Sequence, residues 1–271
     1  MMKIGFIGTG NMARAIIKGI IESKQLPNEN IFVFNRDSDK TTSFAIETNT
    51  HPCTSSQKLA ESVDVLVLAV KPGVIPTVLK ELHTTFLKHQ PLLVSIAAGT
   101  TIASLEDTLG SMQKHPIIRV MPNLNALIGK GMAAVCSNQF ASKQQISFVL
   151  DLFNSIGIAI ELEEHHFSTF TAIAGSSPAY TFLFIDSLAR GAVKNGMPKD
   201  LATKIATQAV LGSAEMLLAS DKSPWDLIDQ VSSPGGTTVA GLVALEDEAF
   251  ISTVIKGVDA TIKRDHELMN D

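Results

Sequence analysis

The chain has 271 residues, room for one domain of about 150 residues and a smaller partner. Hydrophobic residues make up 45% and charged residues 18%, which supplies a core and excludes wholesale disorder. A net charge of −5, with one Tyr (Tyr180) and one Trp (Trp225), argues against a general nucleic-acid or anionic-membrane binder and against aromatic stacking platforms; a small-molecule site is expected.

In chain order, short β-branched runs alternate with longer mixed segments from residue 3 to about 161, the pattern of βαβ units on a mostly parallel sheet. Strands are expected at 3–7, 31–34, 65–69, 92–97, 117–120, 133–136 and 158–161, with helix-period segments at 12–23, 74–86 and 144–155. The segment 13–21 is interrupted by Arg14 and Lys18, which does not suit a signal peptide, and apolar runs such as 65–70 fall far short of the roughly 20 residues a membrane helix needs. Cys53 and Cys136 form neither a CxxC pair nor a metal-spaced cluster with the histidines, so no metal and a reducing, cytoplasmic compartment are expected. Beyond residue 163 the strand pattern stops, and helices are expected at 179–194, 200–219, 239–246 and 249–268. Ser177-Pro178 has the order of an N-cap and a first-turn proline, Asn195-Gly196 that of a helix end, and Pro198 and Pro224 can open helices. The chain therefore divides into 1–162 and 163–271. The run Tyr180 to Leu188 is apolar around much of a helix, more surface than the second part can cover alone, and a partner subunit is the natural cover.

Two glycine motifs carry the chemistry. Gly5 to Ala13 reads GFIGTGNMA: an apolar strand, then GxGxxA, then a helix. Gly8 permits a tight turn, Gly10 lets backbone approach a pyrophosphate, and Ala13 allows close helix–strand packing. This is a dinucleotide-binding fingerprint at the head of a Rossmann unit. The second strand runs into Asn35-Arg36-Asp37. Arg36, with Asn35 and Ser38 as neutral donors, suits the 2′-phosphate of NADPH; Asp37 at the strand end would instead suit NADH. Lys71-Pro72 and Gly99-Thr100 follow two further strands, where open α/β sheets bind ligands, and Ala69, Ala97 and Ala98 are small enough to let a nicotinamide approach the backbone. In the helical half, Ser232 to Thr238 reads SSPGGTT just before a helix, aiming several N–H groups at one point as a carboxylate site would. A merely structural capped turn would need one glycine and one Thr.

These segments together resemble the pyrroline-5-carboxylate reductase family over nearly the whole chain. The likeness rests on GFIGTGNMA, AVKP at Ala69 to Pro72, SIAAG at Ser95 to Gly99, RVMPN at Arg119 to Asn123, TAIAGSSPAY at Thr171 to Tyr180, and SSPGGTT. It implies NAD(P)H-dependent reduction of 1-pyrroline-5-carboxylate to L-proline, the last step of proline synthesis, on an α/β fold: an N-terminal Rossmann domain and a C-terminal all-helical domain that interlocks into a dimer, often within a larger ring. By the same resemblance Gly8, Thr9, Gly10, Asn11 and Met12 would hold the pyrophosphate, Asn35 and Arg36 the adenosine ribose or its phosphate, and Ala69, Val70, Lys71, Ala97 and Ala98 the ribose and nicotinamide. Ser56 stands where many members place a cofactor-contacting Asn. Ser233, Gly235, Gly236, Thr237 and Thr238 would bind the substrate carboxylate, with the Thr238 hydroxyl near the ring nitrogen as the catalytic group, and Glu164 would approach the substrate. The sequence departs from the family at Leu124-Asn125, where Thr-Pro is usual, and at Ala174 and Ser177.

Reducing a cyclic imine needs a hydride on carbon and a proton on nitrogen, and no strong base. Two other readings share parts of the pattern. A β-hydroxyacid dehydrogenase would need a Lys or His base in the helical half, for which Lys194 and Lys204 are the candidates and His165-His166 lie at the boundary; a non-catalytic dinucleotide sensor would have no use for the second glycine motif.

Overall fold

The computed structural model describes residues 2–110 and 114–270. Eight strands, β1 (Ile4–Ile7), β2 (Ile31–Phe34), β3 (His51–Pro52), β4 (Val65–Leu68), β5 (Leu92–Ser95), β6 (Ile117–Met121), β7 (Gly131–Ser137) and β8 (Gly157–Glu161), form one sheet in the order β3-β2-β1-β4-β5-β6-β7-β8. All neighbours are parallel except β6 and β7, whose pairing is antiparallel. The seven expected strands lie within two residues of the observed ends. The eighth, β3, is two residues long and contains Pro52, so it carries no strand pattern of its own and exists through its pairing with Phe32 and Val33.

Strands β1, β4 and β5 are buried on both faces, as continuous apolar runs between two helical layers should be. Their alternate side chains feed two cores. Ile4, Phe6, Val65, Val67 and Val94 pack on one side with Ile16, Ile20 and Phe153; Ile7, Leu66, Leu68 and Leu93 pack on the other with Leu79, Leu82 and Phe86. The helices of these layers are α1 (Asn11–Glu22), α2 (Ser38–Thr48), α3 (Ser56–Ser62), α4 (Ile75–His89), α5 (Ile102–Leu109) and α6 (Lys143–Asn154). In α1, Gly19 packs against the turn before β8, where a Cβ would run into Ile156 Cγ2.

After a short 3₁₀ turn (Glu164–His166) come α7 (Phe167–Phe170), a π-helical turn (Thr171–Ser176), α8 (Ser177–Lys194), α9 (Lys199–Leu218), α10 (Pro224–Val231), α11 (Thr237–Asp247) and α12 (Phe250–Asn270). By compactness the chain forms two units, Met1–Gly175 with Thr261–Asp271, and Ser176–Ala260. The loss of strand pattern at residue 162 precedes this division because Phe167, Phe170 and Ala172 are still buried in the first unit. Ser177 is not the N-cap its sequence suggests. The π turn runs directly into α8, so Ser177 is already helical and its carbonyl accepts the Thr181 hydroxyl at 3.0 Å, while Pro178 keeps the expected first-turn place. Asn195-Gly196, Pro198 and Pro224 occupy the helix-end and helix-start positions expected of them.

The second unit buries little within one chain. Its only apolar cluster among the described residues is Ala189, Ala202 and Ala206, while Phe182, Leu183, Leu218 and Trp225 are exposed. No described helix is long and apolar enough to cross a membrane.

Candidate active site

A cleft of about 470 Å³ opens at the carboxyl ends of β1, β2 and β4, where the strand order reverses beside β1. Its floor is the glycine turn. Gly8 donates its N–H to Phe34 O at 2.8 Å and has φ +102°; a Cβ there would run into Ala69 O, so conformation and packing both demand glycine. Gly10 differs. Its φ is −72° and a Cβ would meet nothing within 4 Å, so neither strain nor packing explains it. What its small size preserves is open space beside the N-terminus of α1, a cradle that a side chain would fill and a pyrophosphate fits.

At the end of β2, Asn35 and Asp37 take different places. Asn35 follows the last strand residue, donates its Nδ2 to Thr9 Oγ1 at 3.0 Å, and receives the Asp37 N–H on Oδ1 at 3.2 Å, tying β2 to the glycine turn. Asp37 caps α2, accepting the Asp39 and Lys40 N–H groups at 3.1 and 3.2 Å. Those bonds, led by the Lys40 N–H and aided by the Lys40 ammonium, hold its carboxyl below the usual range. Asn35 and Arg36 line the cleft and Asp37 does not. The position that would reject a 2′-phosphate thus carries an amide and a guanidinium.

Ser56, the first residue of α3, is buried against the same cleft with its hydroxyl 3.2 Å from Gln57 Oε1, and Ala69, Val70 and Lys71 form the wall beyond β4. Val74, Val78 and Glu81 complete it, spaced as one stripe along the start of α4. Helix periodicity reveals that stripe in the sequence but not that it faces a cleft. Other expected residues lie elsewhere. Met12 is half-buried against the core, and Asn11 lines a second cleft of about 500 Å³ along α1, together with Arg14 and Lys18, both ion-paired to Glu47. Ala97 is buried and Ala98 exposed, just past β5 and outside the lining of the first cleft.

Around Glu164 the structure shows contacts that the sequence pattern gives no sign of. Glu164 Oε1 accepts both Arg119 Nη1 at 2.9 Å and the Ile102 N–H at 2.8 Å. The Arg119 guanidinium also lies 4.5 Å from the centre of the Phe167 ring. Beside this pair Cys136 is buried and its thiol is pushed up to about 12, chiefly by burial and next by the Glu164 charge. The two cysteines are unpaired.

The second glycine motif belongs to the second unit. Gly235 has φ +69°, the Gly236 N–H donates to Ser233 O at 2.9 Å, and Gly236 caps α11 without a side-chain bond. A Cβ on Gly236 would lie 2.9 Å from Ser233 O. Each glycine thus has its own steric cause, and the doubled glycine alone does not exceed what a structural turn needs. The hydroxyl-bearing Thr237 and Thr238 and the hydroxymethyl of Ser233 are exposed around it.

A doubly wound sheet with a glycine turn beneath a cleft at its switch point defines a dinucleotide-binding protein of the Rossmann class. Residues 164–268 match the family described as pyrroline-5-carboxylate reductase dimerisation, and residues 3–99 the family described as NADP oxidoreductase, coenzyme F420-dependent. The pyrroline-5-carboxylate reductase of Escherichia coli (strain K12) is 40% identical, the match covering 98% of each chain. The solved enzyme from Streptococcus pyogenes superposes with a TM-score of 0.87 at 42% identity, covering 97% of this chain and 98% of that one. The Plasmodium falciparum pyrroline carboxylate reductase, solved with NADP bound, superposes at 0.88 with 35% identity, covering 99% and 98%. The chain belongs to the pyrroline-5-carboxylate reductase family.

Proposed function

We propose that this protein reduces 1-pyrroline-5-carboxylate to L-proline, using NADPH in preference to NADH. The observation that carries the reading is the first cleft: a glycine turn with open space at Gly10 and, at the end of β2, Asn35 and Arg36 in place of a carboxylate. In a chain matching reductases of this name over its full length, that cleft is the cofactor site. When bound, NADPH supplies the hydride.

The remaining work falls to the chain. The turn Gly8 to Gly10 and the first N–H groups of α1, with Asn11 and Met12 at its start, hold the pyrophosphate. Asn35, Arg36 and Ser56 receive the adenosine ribose and its 2′-phosphate, the guanidinium by charge-assisted hydrogen bonds. Ala69, Val70, Lys71, Ala97 and Ala98 border the second ribose and the nicotinamide. The turn of Ser233, Gly235, Gly236 and Thr237 takes the substrate carboxylate, where N–H groups at a helix start favour an anion. Thr238 orients the ring nitrogen by hydrogen bonding; an alcohol is a weak acid, and a protonated imine is already electrophilic. Catalysis then consists mainly of placing two ligands together away from water.

The exposed apolar helices of the second unit and the dimerisation match of residues 164–268 support a homodimer or a larger ring of dimers. The unpaired cysteines suit a cytoplasmic enzyme. The test is NADPH oxidation with 1-pyrroline-5-carboxylate, run beside NADP reduction with a β-hydroxyacid. Turnover of the imine alone is expected. Turnover of the hydroxyacid alone would replace this reading with a dehydrogenase, and turnover of neither, with NADPH still bound, would leave a dinucleotide sensor.

A further inference from the structure

Arg119 on β6 is one of the largest fully buried side chains in the molecule, 2% exposed. A guanidinium removed from water needs an anion fixed beside it, and here that anion is Glu164 at 2.9 Å. The same carboxylate oxygen accepts the N–H of Ile102 at 2.8 Å. Ile102 is the first residue of α5, where a carboxylate is also favoured by the helix dipole. Residues 96–101, the turn between β5 and α5, carry Ala97 and Ala98. At its start the Ile96 N–H donates to Leu68 O at 3.2 Å; at its end Thr101 caps α5, accepting the Ser104 N–H at 3.1 Å. The carboxylate therefore ties the exit of this turn to β6, the strand beside β5, and the guanidinium also lies over the Phe167 ring, 4.5 Å from its centre.

We infer that Arg119 is a positioning residue: through Glu164 it fixes the turn bearing Ala97 and Ala98, and so sets the nicotinamide half of the cofactor site without touching the cofactor. The inference rests on the reading that these two alanines border the nicotinamide. It also gives Glu164 a different task from the one the family resemblance suggests, since its bound oxygen faces the start of α5. Asn35, Arg36 and Ser56, proposed to hold the adenosine half, lie beyond β2 and at the start of α3 and share none of these bonds. Loosening the clamp should therefore disturb one half of the cofactor only.

The experiment compares the full-length protein with Glu164→Ala, Glu164→Gln and Arg119→Lys, measuring binding of NADPH and of 2′-phospho-ADP-ribose, which lacks nicotinamide, together with kcat and both KM values. Glu164→Ala should lose about tenfold or more in NADPH affinity and in kcat, the scale expected when reacting groups are misplaced. Binding of 2′-phospho-ADP-ribose and the KM for the imine should stay within about twofold, on the additivity expected of sites that share no bonds. Glu164→Gln, which keeps the acceptor oxygen, should recover most of the loss, and Arg119→Lys should fall between. Equal losses for both ligands, no loss for either, or a rise confined to the imine KM would overturn the inference, the last by assigning Glu164 to the substrate. Should Glu164→Ala not fold, Arg119→Lys is judged by the same ratio. If the wild-type protein binds both nucleotides but does not turn over the imine, the reductase reading has failed, and the ratio of the two affinities still decides the role of Arg119.

Discussion

The two units of this chain use apolar residues in opposite ways. The first buries Phe6, Phe44, Phe86 and Phe153 completely between a sheet and two helical layers, while among its described residues the second gathers one small apolar cluster of three alanines and leaves Phe182, Leu183 and Leu218 exposed. One unit has a complete core and builds its cleft from its own residues. The other has half of one, and its surface makes sense when a second copy supplies the rest. The same contrast holds for the glycine turns: Gly10 has open space around it and no backbone strain, whereas Gly235 and Gly236 are explained by their own backbone.

The largest expected effect is at the first glycine turn. Gly8→Val drives a branched side chain into the Ala69 backbone at a positive φ, and should cost at least about a hundredfold in NADPH affinity and lower the unfolding temperature. Gly10→Ala separates ligand from fold: NADPH affinity should fall about tenfold while the unfolding midpoint barely moves, because the added methyl meets no protein atom. Equal thermal losses in both variants would remove the distinction. On the second unit, Leu183→Glu places a charge on an apolar surface 67% exposed in one chain. Light scattering should show a shift from dimer to monomer at micromolar concentration, with the first unit still folded; an unchanged mass would mean that this face is not the interface.

Arg36→Ala should raise the KM for NADPH about tenfold and that for NADH less than about twofold, since only the former carries the phosphate that a guanidinium binds. Equal changes would return the choice of cofactor to other residues. The smallest effect is expected at His115, buried in the first unit with Nε2 2.7 Å from Pro91 O and its ring edge-on to Phe86. Burial lowers its pKa, so the unfolded chain binds the proton more readily than the folded one. That contribution to stability is complete above the unfolded value near 6.5 and is lost as pH falls from there through the lower folded value. Urea unfolding from pH 7.5 to 5 should show the decline, and His115→Gln should flatten it.

Much of the first unit is legible in the sequence because its signals are local. Runs such as VLVL at β4 declare a strand buried on both faces, and GxGxxA declares the turn and the helix that follows. Three pieces the sequence leaves out are set by distant partners: β3 by its neighbour strand, the Asn35 bridge by Thr9, and the Arg119 clamp by a carboxylate 45 residues away. Ser177 illustrates the same limit. Its neighbours spell an N-cap, but the preceding π turn carries the helix through it. At the cofactor cleft, Arg36 is legible as a cation after a strand, whereas the orientation of Asp37 toward α2 emerges only with the capping bonds. In the second unit the helices are readable from their period and punctuation, while what covers their exposed faces is not written in one chain.

The most direct test of the account is the amount of L-proline formed per NADPH oxidised when the purified protein is given 1-pyrroline-5-carboxylate. One proline per NADPH, with formation lost in Gly8→Val, is the predicted result. NADPH binding with no proline formed would contradict it.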